Sequence, residues 1–170
     1  MRVSRELRLL MALSQSNTSD IALASADSLA SDSIDWQRLH GLAVRNRVVG
    51  LVNRSLRQRY SDRIPSTVLA DFQRSAAQSR LISMMLLSTQ FGLMDRILDP
   101  LGVRYLALKG SALSVRWYRD AMIRQVSDVD LLLDEGKIVQ VVEAMLADGW
   151  RIANPHWKGQ RLAHFARYVG

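Results

Sequence analysis

Two aspartates stand two positions apart in the segment RQVSDVDLLL, residues 124–133, directly before a run of leucines. An extended chain sends alternate side chains to one face, so Asp128 and Asp130 are predicted to point the same way. Two like charges held this close repel each other, and their burial is costly unless a cation neutralises them. Carboxylate oxygens are the preferred ligands of Mg²⁺. The pair therefore indicates a divalent-metal site, with an ordinary exposed strand end as the alternative.

A second feature that could do chemistry is Lys109-Gly110-Ser111, which follows the predicted strand VRYLAL. Glycine lets the backbone approach a ligand closely, and the N-terminus of a following helix favours an anion such as phosphate. Ser111 can cap that helix or donate to a phosphate oxygen, and Lys109 adds a positive charge. The alternative is common turn chemistry, because Gly-Ser often follows a strand.

Taken together, the glycine turn and the acidic pair resemble the nucleotidyltransferase superfamily that includes DNA polymerase β-like enzymes. The separation of Ser111 from Asp128 is longer than is usual in that superfamily. It fits a narrower group, because LALKGSALSVRWYRDAMIRQVSDVDLLL is similar to the bacterial uncharacterised nucleotidyltransferase family, written LKG-x-A-L…Y-x-D…R-x-x-S-D-h-D-L-L. The resemblance is specific at residues 108–133 and looser over the rest of 34–155.

The resemblance implies that Asp128 and Asp130 are catalytic residues that bind Mg²⁺ or Mn²⁺. Gly110 and Ser111 would form the turn that holds the triphosphate of an NTP, with Lys109 beside it. The implied reaction transfers a nucleoside monophosphate from the NTP to a hydroxyl-bearing acceptor. That acceptor could be a small molecule, a carbohydrate, a peptide or a protein.

The neighbourhood of the acidic pair leaves two questions open. Arg124 would bind phosphate in the implied site, or it would form a structural salt bridge with Asp120. The superfamily has a third carboxylate on a later strand, commonly the general base, yet residues 150–170 contain no Asp or Glu. We therefore expect a fragment of a longer protein or a reduced homologue.

Hydrophobic periodicity divides the chain into helical and mixed parts. Helices are predicted at 1–15, 35–59, 66–98, 110–118 and 135–148, and strands at 103–109, 129–133 and 150–153, with a last amphipathic stretch after Pro155. The predicted fold class is α+β. A helical region over 1–100 precedes a small mixed-sheet, nucleotidyltransferase-like α/β core over 101–170, which is incomplete at its C-terminal end.

The chain carries a formal net charge of +7, and its positive charge is almost wholly arginine. Arg45, Arg54, Arg57 and Arg59 collect on one face of the predicted 35–59 helix, as a solvated face or a phosphate-binding surface. A nucleic-acid partner is possible on this charge but not favoured. The chain has no cysteine, which excludes disulfides and thiolate metal sites and fits a cytoplasmic location. No apolar run approaches the roughly 20 residues of a membrane helix, so no membrane span is expected.

Three functions follow as expectations. The first is a nucleotidyltransferase, or the N-terminal part of one. The second is a non-catalytic nucleotide-binding or regulatory partner module of the same fold. The third is a basic adaptor that binds nucleic acid through the arginine face.

Overall fold

A computed structural model of the protein describes residues 3–15, 27–28 and 34–151. Its helices include α1 (Arg5–Leu13), α2 (Trp36–Arg45), α3 (Val49–Arg59), α4 (Ser66–Leu93), α5 (Gly110–Tyr118) and α6 (Ile138–Ala147). A π-helical turn, Met94–Leu98, continues α4, and a 3-10 turn, Glu135–Lys137, precedes α6. The strands are β1 (Tyr105–Leu108) and β2 (Asp130–Leu133). The described chain is thus helix-rich with one small antiparallel sheet, consistent with the predicted α+β class.

The chain divides into two compact units. The first contains the described residues up to Leu86 together with Lys109–Asp128, and the second contains Leu87–Leu108 together with the described residues from Val129 onward. Each unit has its own cluster of buried apolar side chains. The division at residue 100 that the sequence suggested stays a prediction.

The core of the first unit is formed by α1, α2, α3 and the start of α4. Its most buried side chains include Leu9, Leu39, Val52, Leu56, Tyr60 and Phe72. The Asp35 carboxylate caps α2 by accepting a hydrogen bond from the Arg38 N–H at 2.9 Å. The Ser55 hydroxyl donates to the Leu13 carbonyl at 2.8 Å, so α3 is fixed to the end of α1.

The single helix predicted over 35–59 is wrong, because the chain forms α2 and α3 instead. Arg47 takes a left-handed conformation with φ of 58° between them. The Arg47 N–H donates to Val44 and the Val48 N–H donates to Ala43, the two bonds of a Schellman helix end. The predicted apolar positions Leu39 and Val52 are nevertheless buried, because each helix keeps its own apolar face on either side of the three-residue break.

The second unit is built on the antiparallel pairing of β1 with β2. Tyr105 lies opposite Leu133, and Leu108 lies opposite Asp130. On one face Tyr105, Leu131 and Leu133 pack against a cluster that contains Ile97, Leu98, Val103 and Val141. The other face exposes Leu106 and Leu132. The alternation predicted for β1 is therefore confirmed.

The C-terminal predictions are tested only in part. Trp150 and Arg151 are not in a strand, so the predicted third strand does not begin where expected. The remainder of that strand and the amphipathic stretch after Pro155 lie outside the described residues.

The buried side of α4 differs from the predicted apolar stripe. Ile82 and Met85, both predicted to be buried, are 37% and 63% exposed, whereas Ser79 and Ser83 are each only 3% exposed. The physical reason is that Ser83 faces polar backbone groups of residues 124–126, which require hydrogen-bond partners rather than apolar contact. Hydrophobic periodicity alone cannot reveal such a partner.

The segment Ser66–Leu98 passes a test of length and composition for a membrane-crossing helix. Its mean hydropathy reaches 1.2 over an 18-residue window, of which 22% is buried. This is weak evidence, because core helices of soluble proteins pass the same test. The expectation that the chain has no membrane span stays a prediction.

Gly50 in α3 and Gly41 in α2 predict opposite effects of an added methyl group. A Cβ at Gly50 would overlap the carbonyl oxygen of Ile123, whereas a Cβ at Gly41 would meet nothing within 4 Å. We expect Gly50→Ala to lower the free energy of unfolding by about 1–3 kcal/mol, because the backbone of α3 or of Ile123 must shift to admit the methyl group. Gly41→Ala should raise it by about 0.5–1 kcal/mol through helix propensity. Urea unfolding followed by circular dichroism measures both, and equal effects would contradict the close packing of α3.

Tyr60 predicts a loss of stability at alkaline pH. Burial, followed by the hydrogen bond to Asp27 and its charge, raises the pKa of Tyr60 from 10.0 to about 12. The folded state therefore keeps the phenol proton after the unfolded state has lost it. The contribution of the Tyr60 proton to the free energy of unfolding, about 2–3 kcal/mol, is fully present below pH 10. It is lost as the pH rises towards 12. Urea unfolding from pH 9 to 11.5 should show this decline in the wild type and a shallower one in Tyr60→Phe. Parallel profiles would contradict it.

Candidate functional site

The turn between β1 and α5 has an unusual backbone conformation. Lys109 has φ of 54° and ψ of −150°, and Gly110 has φ of 47°. A non-glycine residue in such a region costs energy and is held there by its surroundings. The helix begins at once, since the Leu113 N–H donates to the Lys109 carbonyl at 3.2 Å. The turn therefore presents the positive end of a nine-residue helix.

Gly110 allows this turn to lie against the segment that leads to the acidic pair. A Cβ added at Gly110 would lie 3.1 Å from Val126 Cγ1 and 4.0 Å from the backbone oxygen of Asp128. A side chain at this position would have to displace Val126, besides taking a positive φ. The structure thus brings the glycine turn close to Asp128, as the sequence led us to expect.

Within the second unit, the pairing of the strands places Asp130 beside the last residue of β1. Leu108, which directly precedes the turn, lies opposite Asp130, the first residue of β2. The strand begins one residue later than predicted, and Asp128 lies before it. Asp128 is exposed and Asp130 is partly exposed. The predicted common strand face of the two carboxylates is therefore not supplied by β2, which contains only one of them.

Arg47 reaches the acidic segment from a distant part of the chain. Its Nη1 donates to Ser127 Oγ at 2.6 Å, and Ser127 Oγ donates to Asp128 Oδ1 at 3.3 Å. Sequence reasoning missed this arginine, because no spacing rule connects residues 80 positions apart. No local signal marked it either, because the sequence predicted one continuous helix over 35–59.

Ser83 fixes the loop that precedes the acidic pair. Its hydroxyl donates to the Arg124 carbonyl and accepts from the Val126 N–H, each at 3.3 Å. Val126 is also the residue that Gly110 contacts. The buried hydroxyl of α4 therefore supports the wall of the candidate site, and this role was also missed from the sequence.

The alternative salt bridge between Arg124 and Asp120 is wrong. Asp120 instead binds Arg80 Nη1 at 2.9 Å and accepts a hydrogen bond from the Met122 N–H at 3.0 Å. Partial burial acts to raise the pKa of Asp120, but the Met122 and Arg80 hydrogen bonds, with the charges of Arg80 and Arg54, lower it below its usual range. Arg124 is exposed, so its side chain stays accessible to a ligand.

The acidic pair fits one mode of metal binding. Among the residues that the structure describes, no group of three or more His, Cys, Asp or Glu side chains is arranged around a common metal position. Magnesium, however, commonly takes one or two carboxylates from the protein and completes its shell with water and phosphate oxygens. Asp128 and Asp130 offer such a pair, and their role as ligands stays a prediction.

A family model described as "Uncharacterised nucleotidyltransferase" matches residues 32–169. No curated protein and no solved structure matches the chain significantly. The matched residues include α2, α3 and α4 as well as the segment that carries both motifs, whereas α1 precedes them.

Ser83 and Ser79 provide a matched test of the loop support. Ser83→Ala should lower the free energy of unfolding by about 1–3 kcal/mol, because it leaves the Arg124 carbonyl and the Val126 N–H without their partner. Ser79 lies one turn earlier on α4, and its buried hydroxyl has no hydrogen-bond partner among the residues that the structure describes. Ser79→Ala should therefore be neutral or stabilising. Chemical unfolding of both variants measures the difference, and an equal loss in both would show that the Ser83 bonds contribute nothing.

Proposed function

Because the chain belongs to the uncharacterised nucleotidyltransferase family, we propose that it transfers a nucleoside monophosphate from an NTP to a hydroxyl-bearing acceptor. The reaction would use Mg²⁺ or Mn²⁺ and release pyrophosphate. The wider relationship to DNA polymerase β-like nucleotidyltransferases is part of this proposal. It is supported by the order of the two motifs, a glycine turn after one strand and an acidic pair at the start of the next.

One observation carries the proposal, the close approach of the glycine turn to the segment that contains Asp128. A Cβ added at Gly110 would lie 3.1 Å from Val126 Cγ1 and 4.0 Å from the backbone oxygen of Asp128. A phosphate group at the start of α5 would therefore lie near Asp128, and Asp130 follows two residues later in the chain.

Each residue then has a distinct role. Asp128 and Asp130 would hold the metal, which supplies positive charge to stabilise the phosphate oxygens during transfer. Gly110 and Ser111 would bind the triphosphate at the helix N-terminus, with Lys109 adding a point charge. Arg124 would donate to phosphate oxygens in the forked geometry of a guanidinium.

Arg47 is an addition to the set of residues that the resemblance implied. Its bond to Ser127 orients a hydroxyl that in turn donates to the Asp128 carboxylate. A carboxylate held in this way presents its remaining oxygen lone pairs in a fixed direction. We assign Arg47 a positioning role on this basis.

A second candidate is nucleotide binding without turnover, as a regulatory partner of the same fold. It is favoured by the composition of residues 150–170, which contain no Asp or Glu to serve as the general base. This candidate keeps the nucleotide turn and the metal pair, but not the transfer step.

Substitution of the acidic pair separates these candidates. We expect Asp130→Asn and Asp128→Asn to weaken Mg²⁺-dependent NTP binding by about tenfold or more, since a charged ligand is lost. Calorimetry with each of the common NTPs measures binding, and pyrophosphate release with a panel of hydroxyl acceptors measures turnover. Asp134→Asn is the matched control, an exposed carboxylate directly after β2 that contacts Arg104 at 3.6 Å.

The outcomes are distinct. Turnover in the wild type that both Asn variants lose and Asp134→Asn keeps would support the enzyme. Metal-dependent binding with no pyrophosphate release from any acceptor would support the regulatory module. A wild-type chain with no metal-dependent nucleotide binding would rule out both candidates.

A further inference from the structure

A basic groove of about 790 Å³ lies in the first unit, between α3, the middle of α4 and the residues after Asp120. We define it by the polar side chains in its lining, which are Asn53, Arg54, Arg57, Gln58, Gln73 and Arg80. It shares no residue with the glycine turn or the acidic pair. Its volume is in the range of sites that bind small molecules.

The charge of the basic groove is only partly neutralised by the protein. Arg80 is paired with Asp120 at 2.9 Å. Within the described part of the chain, neither Arg54 nor Arg57 forms an ion pair with a carboxylate. The lowered pKa of Asp120, to which the charges of Arg80 and Arg54 contribute, keeps that single carboxylate ionised. Three guanidinium groups thus face one fixed negative charge, and an anionic ligand would relieve their repulsion.

Neutral amide groups in the lining add a second, independent requirement. An amide oxygen accepts only from a donor, and the oxygens of a fully ionised phosphate ester are all acceptors. Gln58 and Gln73 add amide groups that can both donate and accept.

The rigid base of the basic groove supports a formed site rather than a chance depression. A Cβ at Gly50 would overlap the carbonyl oxygen of Ile123, so α3 and the residues after Asp120 are in direct backbone contact. Gly50 and Ile123 both line the groove. The guanidinium groups of Arg54 and Arg57 therefore project from a helix whose position is fixed.

We propose that the basic groove binds a small anion that also carries hydroxyl groups, of the chemical class of the sugar phosphates. The phosphate would be bound by Arg54 and Arg57, whose planar forks match its oxygens. A hydroxyl group would donate to the side-chain amide oxygen of Gln58 or Gln73. The proposal does not depend on nucleotide turnover, because it uses none of the residues assigned to that reaction.

Calorimetry with ribose 5-phosphate, inorganic phosphate and ribose tests both requirements. We expect ribose 5-phosphate to bind more tightly than inorganic phosphate, and neutral ribose not to bind. Arg57→Gln and Arg54→Gln should each lower the affinity for ribose 5-phosphate by about tenfold, through loss of a charged hydrogen bond. Arg45→Gln, an equal change of charge at an exposed position outside the groove, should leave it unchanged. Gln58→Ala and Gln73→Ala should weaken the binding of ribose 5-phosphate more than the binding of inorganic phosphate.

The same measurements can overturn the proposal. Absence of binding, or an equal loss of affinity in Arg45→Gln and Arg57→Gln, would exclude a specific site. Binding of single-stranded RNA that Arg45→Gln also weakens, with a steep salt dependence and no sugar-phosphate binding, would make the groove part of a nucleic-acid surface instead. Asp130→Asn should leave ribose 5-phosphate binding intact, so failure of the nucleotide site and failure of the basic groove are distinguishable.

Discussion

The close approach of Gly110 to Val126 is the constraint on which the candidate site depends. Without a side chain at residue 110, the chain can leave β1, turn through two residues of positive φ and begin α5 against the segment 126–128. A conformation such as that of Lys109 costs of the order of 1–3 kcal/mol and persists only where neighbouring structure enforces it. That structure consists of the pairing of Leu108 with Asp130 and the hydroxyl of Ser83 beneath the loop. Val126 is thus held both by the close approach of Gly110 and by the hydrogen bond to Ser83.

The local part of this arrangement could be predicted from the sequence. Both strands, α5 and the residues Lys109, Gly110, Ser111, Asp128 and Asp130 lie within one short segment, where alternation and turn chemistry act over a few positions. The non-local part could not be predicted. The bond from Arg47 to Ser127 and the bonds from Ser83 to residues 124 and 126 join positions that no spacing rule relates. Asp120 forms its salt bridge with Arg80 and not with Arg124. Arg124 is the nearer of the two in the sequence, but closeness in the sequence does not determine closeness in space.

Helix α4 shows how a polar demand can reverse a hydrophobic pattern. Apolar residues dominate its middle, yet Leu81, Met84 and Met85 are exposed while Ser83 is buried against the backbone of residues 124–126. A helix orients itself to satisfy the costliest groups first, and unpaired backbone polar groups cost more than exposed methyl groups. The break between α2 and α3 also leaves no carbonyl of the α2 end unpaired at Ala43 and Val44. The Schellman end at Arg47 supplies the N–H groups that these two carbonyls accept from.

The left-handed residue between α2 and α3 also has a consequence for local motion. Arg47 reaches Ser127 only while the bonds of the α2 end, from Val48 to Ala43 and from Arg47 to Val44, hold its backbone in place. Fraying of that corner would release the Ser127 hydroxyl and with it the support of Asp128. The corner and the acidic segment would therefore open as one cooperative unit, and exchange of the Val48 amide with solvent deuterium would report how often the site comes apart.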